Sequence, residues 1–265
     1  MVAITSRHDE GGAMAYNGGK AGSGTTQRLI NLMPPHRRYV EPFLGAGAIL
    51  KAKRPAPGLN LGIEADAAVI AEHWGGGDPG ATDGAGEAMP QHRTIVHGDG
   101  LQHLQERHYG TDTLIYCDPP YLRETRTSTR DLYRYEFTEP DHRALLAAIR
   151  DQAAAGALVM LSGYHPKLYA RELRDWHLTT FGSITRRGMA LEHLWCSFPP
   201  PVELHDYRFL GDDYRERERI RKKVRRWTAK LRDMPRLERQ ALLAALAEVD
   251  AEADAAADCD RRAAA

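Results

Sequence analysis

From Tyr39 onward, short apolar runs alternate with longer amphipathic stretches. Tyr39-Val40-Glu41-Pro42-Phe43 reads as a strand that enters the turn Leu44-Gly45-Ala46-Gly47, followed by a short helix to about Lys53. Leu59 to Glu64 reads as a second strand, Asp66 to Trp74 as a helix, and Thr94 to His97 as a third strand. Thr113 to Cys117 is a fourth, apolar enough to be buried on both faces. Pro140 to about Ala155 carries Leu145, Leu146 and Ile149 at helical spacing, and Ala157 to Ser162 is a fifth strand. Strands alternating with helices at this spacing predict an α/β fold with a doubly wound, mainly parallel sheet.

Three stretches break the alternation. Residues 1–15 are polar and aperiodic and are expected to be disordered. Gly75 to Pro90 holds six glycines in sixteen residues and is expected to be a flexible insertion. Beyond Pro201, Ile220, Val224, Trp227 and Leu231 fall at helical spacing, and Pro235 opens a second helix with Leu237, Leu242, Leu243 and Leu246. The expected organisation is a sheet domain over 16–204, a basic helical hairpin over 205–250 as a C-terminal extension, and a disordered tail over 251–265.

Composition changes this picture little until charge is mapped onto it. The 265 residues contain 36 Lys+Arg and 36 Asp+Glu, a balance that counts against a nucleic-acid partner when only the total is read. Residues 208–239, however, hold thirteen Lys/Arg against six acids, and residues 240–265 hold two Arg against six acids. Arg221, Lys222, Lys223 and Arg225 lie in the basic stretch, and a second cluster is Arg123, Arg126, Arg130 and Arg134. Both suit a phosphate backbone, and a solvated helix face is the plain alternative for the first. Cys117, Cys196 and Cys259 have no paired spacing, so no disulfide framework or zinc site is expected, and the 12 histidines form no close ligand pattern. No metal is expected. No apolar run approaches a membrane span and no signal segment stands at the N-terminus, so the expected location is the cytoplasm, without a membrane partner.

The chemistry concentrates after the fourth strand, where Asp118-Pro119-Pro120-Tyr121 occupies the strand's carboxyl end. Open α/β sheets bind ligands at that edge. The two prolines fix the backbone and lack N–H donors, so the local carbonyls and the Asp118 carboxylate form a cluster of acceptors. Tyr121 adds an aromatic face. Such a site fits a planar base with an exocyclic amino group, both N–H bonds accepted and the ring stacked. A capped rigid turn is the plain alternative. Gly45 and Gly47 let the first turn approach a ligand closely, and Glu64, 19 residues after Gly45, can accept hydrogen bonds from a ribose diol. Asp99 follows the third strand. A dinucleotide fingerprint fails because position 50 is Leu, and a phosphate loop at Gly18-Gly19-Lys20 fails at Met14 and Ala21.

With Tyr16-Asn17-Gly18-Gly19-Lys20, Val40-Glu41-Pro42-Phe43-Leu44-Gly45-Ala46-Gly47-Ala48 and Asp118-Pro119-Pro120-Tyr121, the chain resembles the Dam-type (D12 class) DNA adenine-N6 methyltransferases. Tyr135, Phe137, Asp141-His142, Leu145 and Ser162-Gly163-Tyr164 extend the resemblance over about residues 14–200. It implies a Rossmann-like methyltransferase sheet and S-adenosylmethionine as cofactor. Tyr16, Lys20, Phe43, Gly45, Gly47, Glu64, Asp99 and Asp118 would form the cofactor site, with Lys20 pairing with the methionine carboxylate and Asp99 near the adenine. Glu64 stands where the family usually has Asp. Asp118, Pro119, Pro120 and Tyr121 would be the catalytic set. Asp118 and the Pro119 carbonyl would accept the N6–H bonds of an adenine flipped out of double-stranded DNA, for direct in-line methyl transfer. The family's larger members carry a target-recognition domain between the second and third strands; here the glycine-rich stretch occupies a short interval. The alternatives are a non-catalytic DNA-binding or cofactor-sensing protein on the same fold, transfer to cytosine N4 or RNA, and a small-molecule methyltransferase. The acid at position 118 favours adenine over cytosine.

Overall fold

A computed structural model describes residues 24–75, 93–120, 137–163, 167–185 and 188–263. The expectations for residues 1–15, for most of the glycine-rich stretch, and for residues 121–136 and 164–166 therefore lie outside the described residues. Residues 1–209 and 210–265 form two separate compact units.

In the first unit seven strands form one sheet: β1 (Arg38–Glu41), β2 (Leu59–Glu64), β3 (Arg93–His97), β4 (Thr113–Cys117), β5 (Leu158–Gly163), β6 (His177–Thr185) and β7 (Gly188–Cys196). Their order is β3-β2-β1-β4-β5-β7-β6. The first five are mutually parallel where they pair, and β7 runs antiparallel to both β5 and β6. The strand order reverses between β1 and β4, where successive strands are laid to opposite sides. This is the switch point at which open α/β sheets bind ligands.

The helices of this unit are α1 (Thr25–Ile30), α2 (Ala48–Ala52), α3 (Ala67–Trp74), α4 (Gly100–Glu106), α5 (Glu139–Ala154) and α6 (Lys167–Glu172). Apolar cores lie in two clusters. Leu29, Ile30, Met33, Leu44, Ile49, Leu50 and Met160 belong to one; Ile63, Leu104, Leu145, Ile149, Val159 and Leu161 belong to the other. Every residue of β4 is buried, as expected for a strand covered on both faces. The α5 helix starts at a capping box in which the Thr138 side chain accepts from the Asp141 N–H and Asp141 returns a bond to the Thr138 N–H. Its Gln152 is fully buried, accepting from the Tyr109 N–H (2.9 Å) and donating to the carbonyls of Leu104 (2.8 Å) and Arg107.

The segment after β7 closes onto α2 and the β1 entrance. His205 stacks on His36 with ring centroids 3.8 Å apart, and its Nε2–H donates to the Arg54 carbonyl (2.8 Å). Asp206 accepts from the Arg54 N–H (2.8 Å) and pairs with Arg208. His36 donates from Nδ1 to the Pro34 carbonyl (2.8 Å). Burial, with Lys53 and His205 adding repulsion, pulls its pKa down to about 3, so the ring is neutral.

The C-terminal unit contains α7 (Tyr214–Asp233) and α8 (Arg236–Ala263). The helix continues through the segment expected to be a disordered tail. Its alanine-rich text has high helix propensity, which outweighs the missing apolar stripe. The two helices also do not pack along one another as the expected hairpin would. Met234 between them is extended (φ −79, ψ 141), as a residue before proline prefers. No helix among the described residues is long and apolar enough to cross a membrane.

Candidate active site

Four adjacent strand ends build the site. β1 runs through Pro42 and Phe43 into a turn in which Gly45 (φ 52) and Gly47 (φ 67) both adopt left-handed backbone. Only glycine adopts this conformation without penalty, and Gly47 then caps α2. A Cβ at Gly47 would lie 2.1 Å from the Trp74 ring. Trp74 also donates its indole N–H to the Gly45 carbonyl (3.3 Å), and Lys51 Nζ sits 4.1 Å from the ring centroid. On the other side of the same turn Glu64 Oε2 accepts from the Gly45 N–H (2.7 Å) while Oε1 accepts from the Asp66 N–H (2.9 Å). The Gly45 residue is thus held through both its N–H and its carbonyl by the end of β2 and the end of α3. Nothing in the sequence pointed to Trp74, because its role depends on α3 returning its last residue to the β1 turn.

Asp99 follows β3 and caps α4, its Oδ1 accepting from the N–H groups of Leu101 (2.8 Å) and Gln102 (3.2 Å). Its Oδ2 has no hydrogen bond among the described residues. The cap brings α4 close to β1: a Cβ at Gly100 would lie 1.9 Å from the Pro42 carbonyl oxygen.

At the end of β4, Asp118 is half-buried, Pro119 buried and Pro120 half-buried. Ser162 at the end of β5 donates to Asp118 Oδ1 (3.0 Å). Its Oγ lies 3.0 Å from the Tyr116 hydroxyl, which must therefore be the donor in that pair. Tyr116 and Ser162 are fully buried. Burial, with Asp118 adding repulsion, raises the Tyr116 pKa well above its ordinary value, so its proton stays. The chain Tyr116 to Ser162 to Asp118 aims the carboxylate from beneath. The sequence marks Ser162 only through the resemblance; its contact to Asp118 follows from β4 and β5 being paired neighbours.

Glu41, at the end of β1, is also buried. Its Oε2 accepts from the Tyr39 hydroxyl (2.9 Å). Burial raises its pKa to about 8, opposed by the Tyr39 bond and reinforced by Asp118, with Lys53 and the Leu50 N–H opposing more weakly. Burial thus favours the neutral carboxyl form of Glu41 beside Asp118. An aromatic group lines the same region. Phe43 meets Phe137 edge-on at 5.4 Å, Phe137 meets His142 at 5.5 Å, and the His142 Nδ1 lies 2.7 Å from the Tyr169 hydroxyl.

The structure thus brings Phe43, Gly45, Gly47, Glu64, Asp99, Asp118, Pro119 and Pro120 to one edge of one sheet. Tyr16, Lys20, Tyr121, Arg123, Arg126, Arg130 and Arg134 lie outside the described residues. Arg221, Lys222, Lys223 and Arg225 are exposed on α7 in the C-terminal unit.

The strand order with its single antiparallel strand, and the glycine turn beside the acidic strand ends, define a Rossmann-like α/β fold with a ligand site at the carboxyl edge of its sheet. More particularly, residues 86–186, which run from β3 through β6 and include Asp118-Pro119-Pro120, match the model of the D12 class N6 adenine-specific DNA methyltransferase family. No curated protein matches the sequence. Among solved structures, a SAM dependent methyltransferase from Archaeoglobus fulgidus is similar at 9% identity, TM-score 0.42, over 64% of this chain and 90% of that one. Human methyltransferase-like protein 13, solved in complex with SAH, is similar at 14% identity, TM-score 0.38, over 68% of this chain and 78% of that one. Precorrin 8w decarboxylase from Methanobacterium thermoautotrophicum is similar at 13% identity, TM-score 0.35, over 64% and 86%. The assignment rests on the strand order and the family match rather than on these likenesses.

Proposed function

We propose that this chain methylates N6 of an adenine flipped out of double-stranded DNA, with S-adenosylmethionine as cofactor. The observation that carries the reading is the position of Asp118-Pro119-Pro120 at the end of β4, next to the glycine turn of β1 and inside the family-matched segment.

The residues fit the cofactor. The turn at Gly45 and Gly47 has no Cβ to obstruct a close approach, and each Glu64 oxygen retains a lone pair for a ribose hydroxyl beyond the backbone bond it accepts. Phe43 offers an apolar wall, and Asp99 Oδ2 an acceptor with no hydrogen bond among the described residues. The resemblance of Tyr16-Asn17-Gly18-Gly19-Lys20 implies that Tyr16 and Lys20 contact the same cofactor. When bound, S-adenosylmethionine supplies an electrophilic sulfonium methyl group.

The chain's own part is to prepare the amine. The N6 lone pair of adenine is delocalised into the ring and poorly nucleophilic. Asp118 accepts one N6–H and the Pro119 carbonyl the other, which favours a pyramidal nitrogen with its lone pair directed out of the ring plane. Ser162 fixes the carboxylate for this task, and the neutral form of Glu41 limits repulsion behind it. Tyr121 stacks on the extruded base. Arg123, Arg126, Arg130 and Arg134 grip the strand around it, and Lys222 and Arg225 on α7 contact phosphates. No covalent bond between chain and base is needed.

The test is incubation with unmethylated duplex DNA and methyl-labelled cofactor, followed by nucleoside mass spectrometry. Labelled N6-methyladenine is expected, and none with Asp118→Ala. Label on cytosine, on RNA alone or nowhere would reject the assignment, the last outcome favouring a non-catalytic binding protein.

A further inference from the structure

We infer that α7 of one chain and α8 of a second chain pair as an antiparallel coiled coil, so that two copies exchange their C-terminal helices about a two-fold axis. Both helices carry an apolar seam with the 4-3-4 spacing of a coiled coil: Ile220, Val224, Trp227 and Leu231 on α7, and Leu242, Leu246, Val249 and Ala253 on α8. Within the C-terminal unit neither helix covers the other's seam. Val224 is 58% exposed, Trp227 47%, Leu246 55% and Val249 59%. Among the described residues the helices do not pack along one another, and Arg239 Nη1 donates to the Leu231 carbonyl (3.2 Å) next to their connection. Extended Met234 and Pro235 leave a two-residue link that does not fold α8 back on α7. Short hinges of this kind favour exchange between copies over closure within one.

The seams match each other in one antiparallel register. Ile220 faces Ala253, Val224 faces Val249, Trp227 faces Leu246 and Leu231 faces Leu242, giving four apolar layers. In that register the flanking positions place Arg221 opposite Asp250 and Lys223 opposite Glu252, with no like-charge pair beside the layers. The bulk charge agrees: α7 has ten Lys/Arg and three acids, and α8 has seven acids and four Lys/Arg. Pairing α7 with α7, or α8 with α8, sets like charge against like, whereas α7 with α8 is attractive. A two-fold rotation can carry α7 onto the reversed direction of α8 whatever the angle between them, so both seams of both chains are covered at once. The occupant is a second copy rather than nucleic acid because the exposed feature is an apolar seam, while Lys222, Arg225 and Arg226 project from the other side of α7 by the same heptad. Those cations stay available for phosphate.

The test uses the full chain and light scattering after gel filtration, at tens of micromolar and near-physiological salt. The mass expected is twice the 29.6 kDa of one chain, and Leu246→Asp should return it to one chain mass. Two charge variants then separate exchange from closure. Arg221→Glu with Lys223→Glu, and Asp250→Lys with Glu252→Lys, each place like charges along both seams and should be monomeric alone. Mixed in equal amounts, they restore opposite charges in both seams and should form a one-to-one dimer. A monomeric natural chain, a mixture that stays monomeric, or a mass that rises only when duplex DNA is added would each overturn the inference.

Discussion

Replacing Ser162 with Ala probes the positioning of Asp118 most directly. The substitution removes one hydroxyl that donates to Asp118 Oδ1 at 3.0 Å and accepts from the buried Tyr116 hydroxyl at 3.0 Å. A hydrogen bond to a charged group contributes about 1.5–3 kcal/mol. If most of that serves to hold the carboxylate toward the amine, the loss corresponds to roughly 10- to 150-fold in kcat. The same change strands the Tyr116 O–H without an acceptor, a stability cost of about 1–3 kcal/mol. Tyr116→Phe removes the outer link only. Ser162 can then still donate to Asp118, so kcat should fall by no more than about threefold, an effect near 0.6 kcal/mol. The double variant should be less destabilised than the two single effects added, because no buried donor is left. Steady-state methyl transfer to DNA gives kcat and the cofactor KM, and thermal melts give stability. The cofactor KM should change little, since Ser162 does not touch the glycine turn. Full kcat in Ser162→Ala, or equal losses in Ser162→Ala and Tyr116→Phe, would refute the reasoning.

Other sites give separate checks. Gly47→Ala forces a side chain into left-handed backbone at φ 67 and against Trp74, so cofactor affinity by calorimetry should drop at least tenfold, with about 1–2 kcal/mol of backbone strain. Trp74→Ala relieves the collision but not the strain, and should restore the double variant only in part. His36 is neutral in the fold, with its pKa lowered from 6.5 to about 3. Between those pH values the unfolded chain binds the extra proton, so stability is lost as pH falls through the window, by at most about 5 kcal/mol. His36→Phe should flatten that part of a urea-midpoint profile against pH, and an unchanged slope would exclude the cause. Gln152→Leu leaves the Tyr109 N–H and the Leu104 and Arg107 carbonyls without their shared partner, and should cost roughly 2–5 kcal/mol in chemical denaturation. A loss below 1 kcal/mol would show that other groups or water replace it.

Much of the sheet was legible because its central strands are buried on both faces. Thr113–Cys117 and Leu59–Glu64 were read at their observed limits, and Asp66 and Asp99 fall where helix-capping acids belong. The β6–β7 hairpin, α1, α4 and α6 were not read. Three of these helices are only six or seven residues long, too short for a periodic signal, and the hairpin lies at one side of the sheet with exposed positions among its apolar ones. The C-terminal helices are legible as helices, but their packing is not, since an apolar stripe records that something covers it and not which molecule does so.

The candidate site divides in the same way. Local sequence determines the groups whose chemistry is intrinsic to a short segment: the acceptor cluster at Asp118-Pro119-Pro120, the left-handed turn at Gly45 and Gly47, and the acids at the ends of β2 and β3. Tertiary structure alone decides what each group meets. Trp74 supports Gly45 from 29 residues away, and Ser162 reaches Asp118 from 44 residues away. Glu41 has its pKa raised to about 8 because burial strips water from the carboxylate, with Asp118 adding to the shift. Hydrogen-bond geometry and desolvation depend on distances in space, and parallel strand pairing sets those distances between residues that the chain keeps far apart.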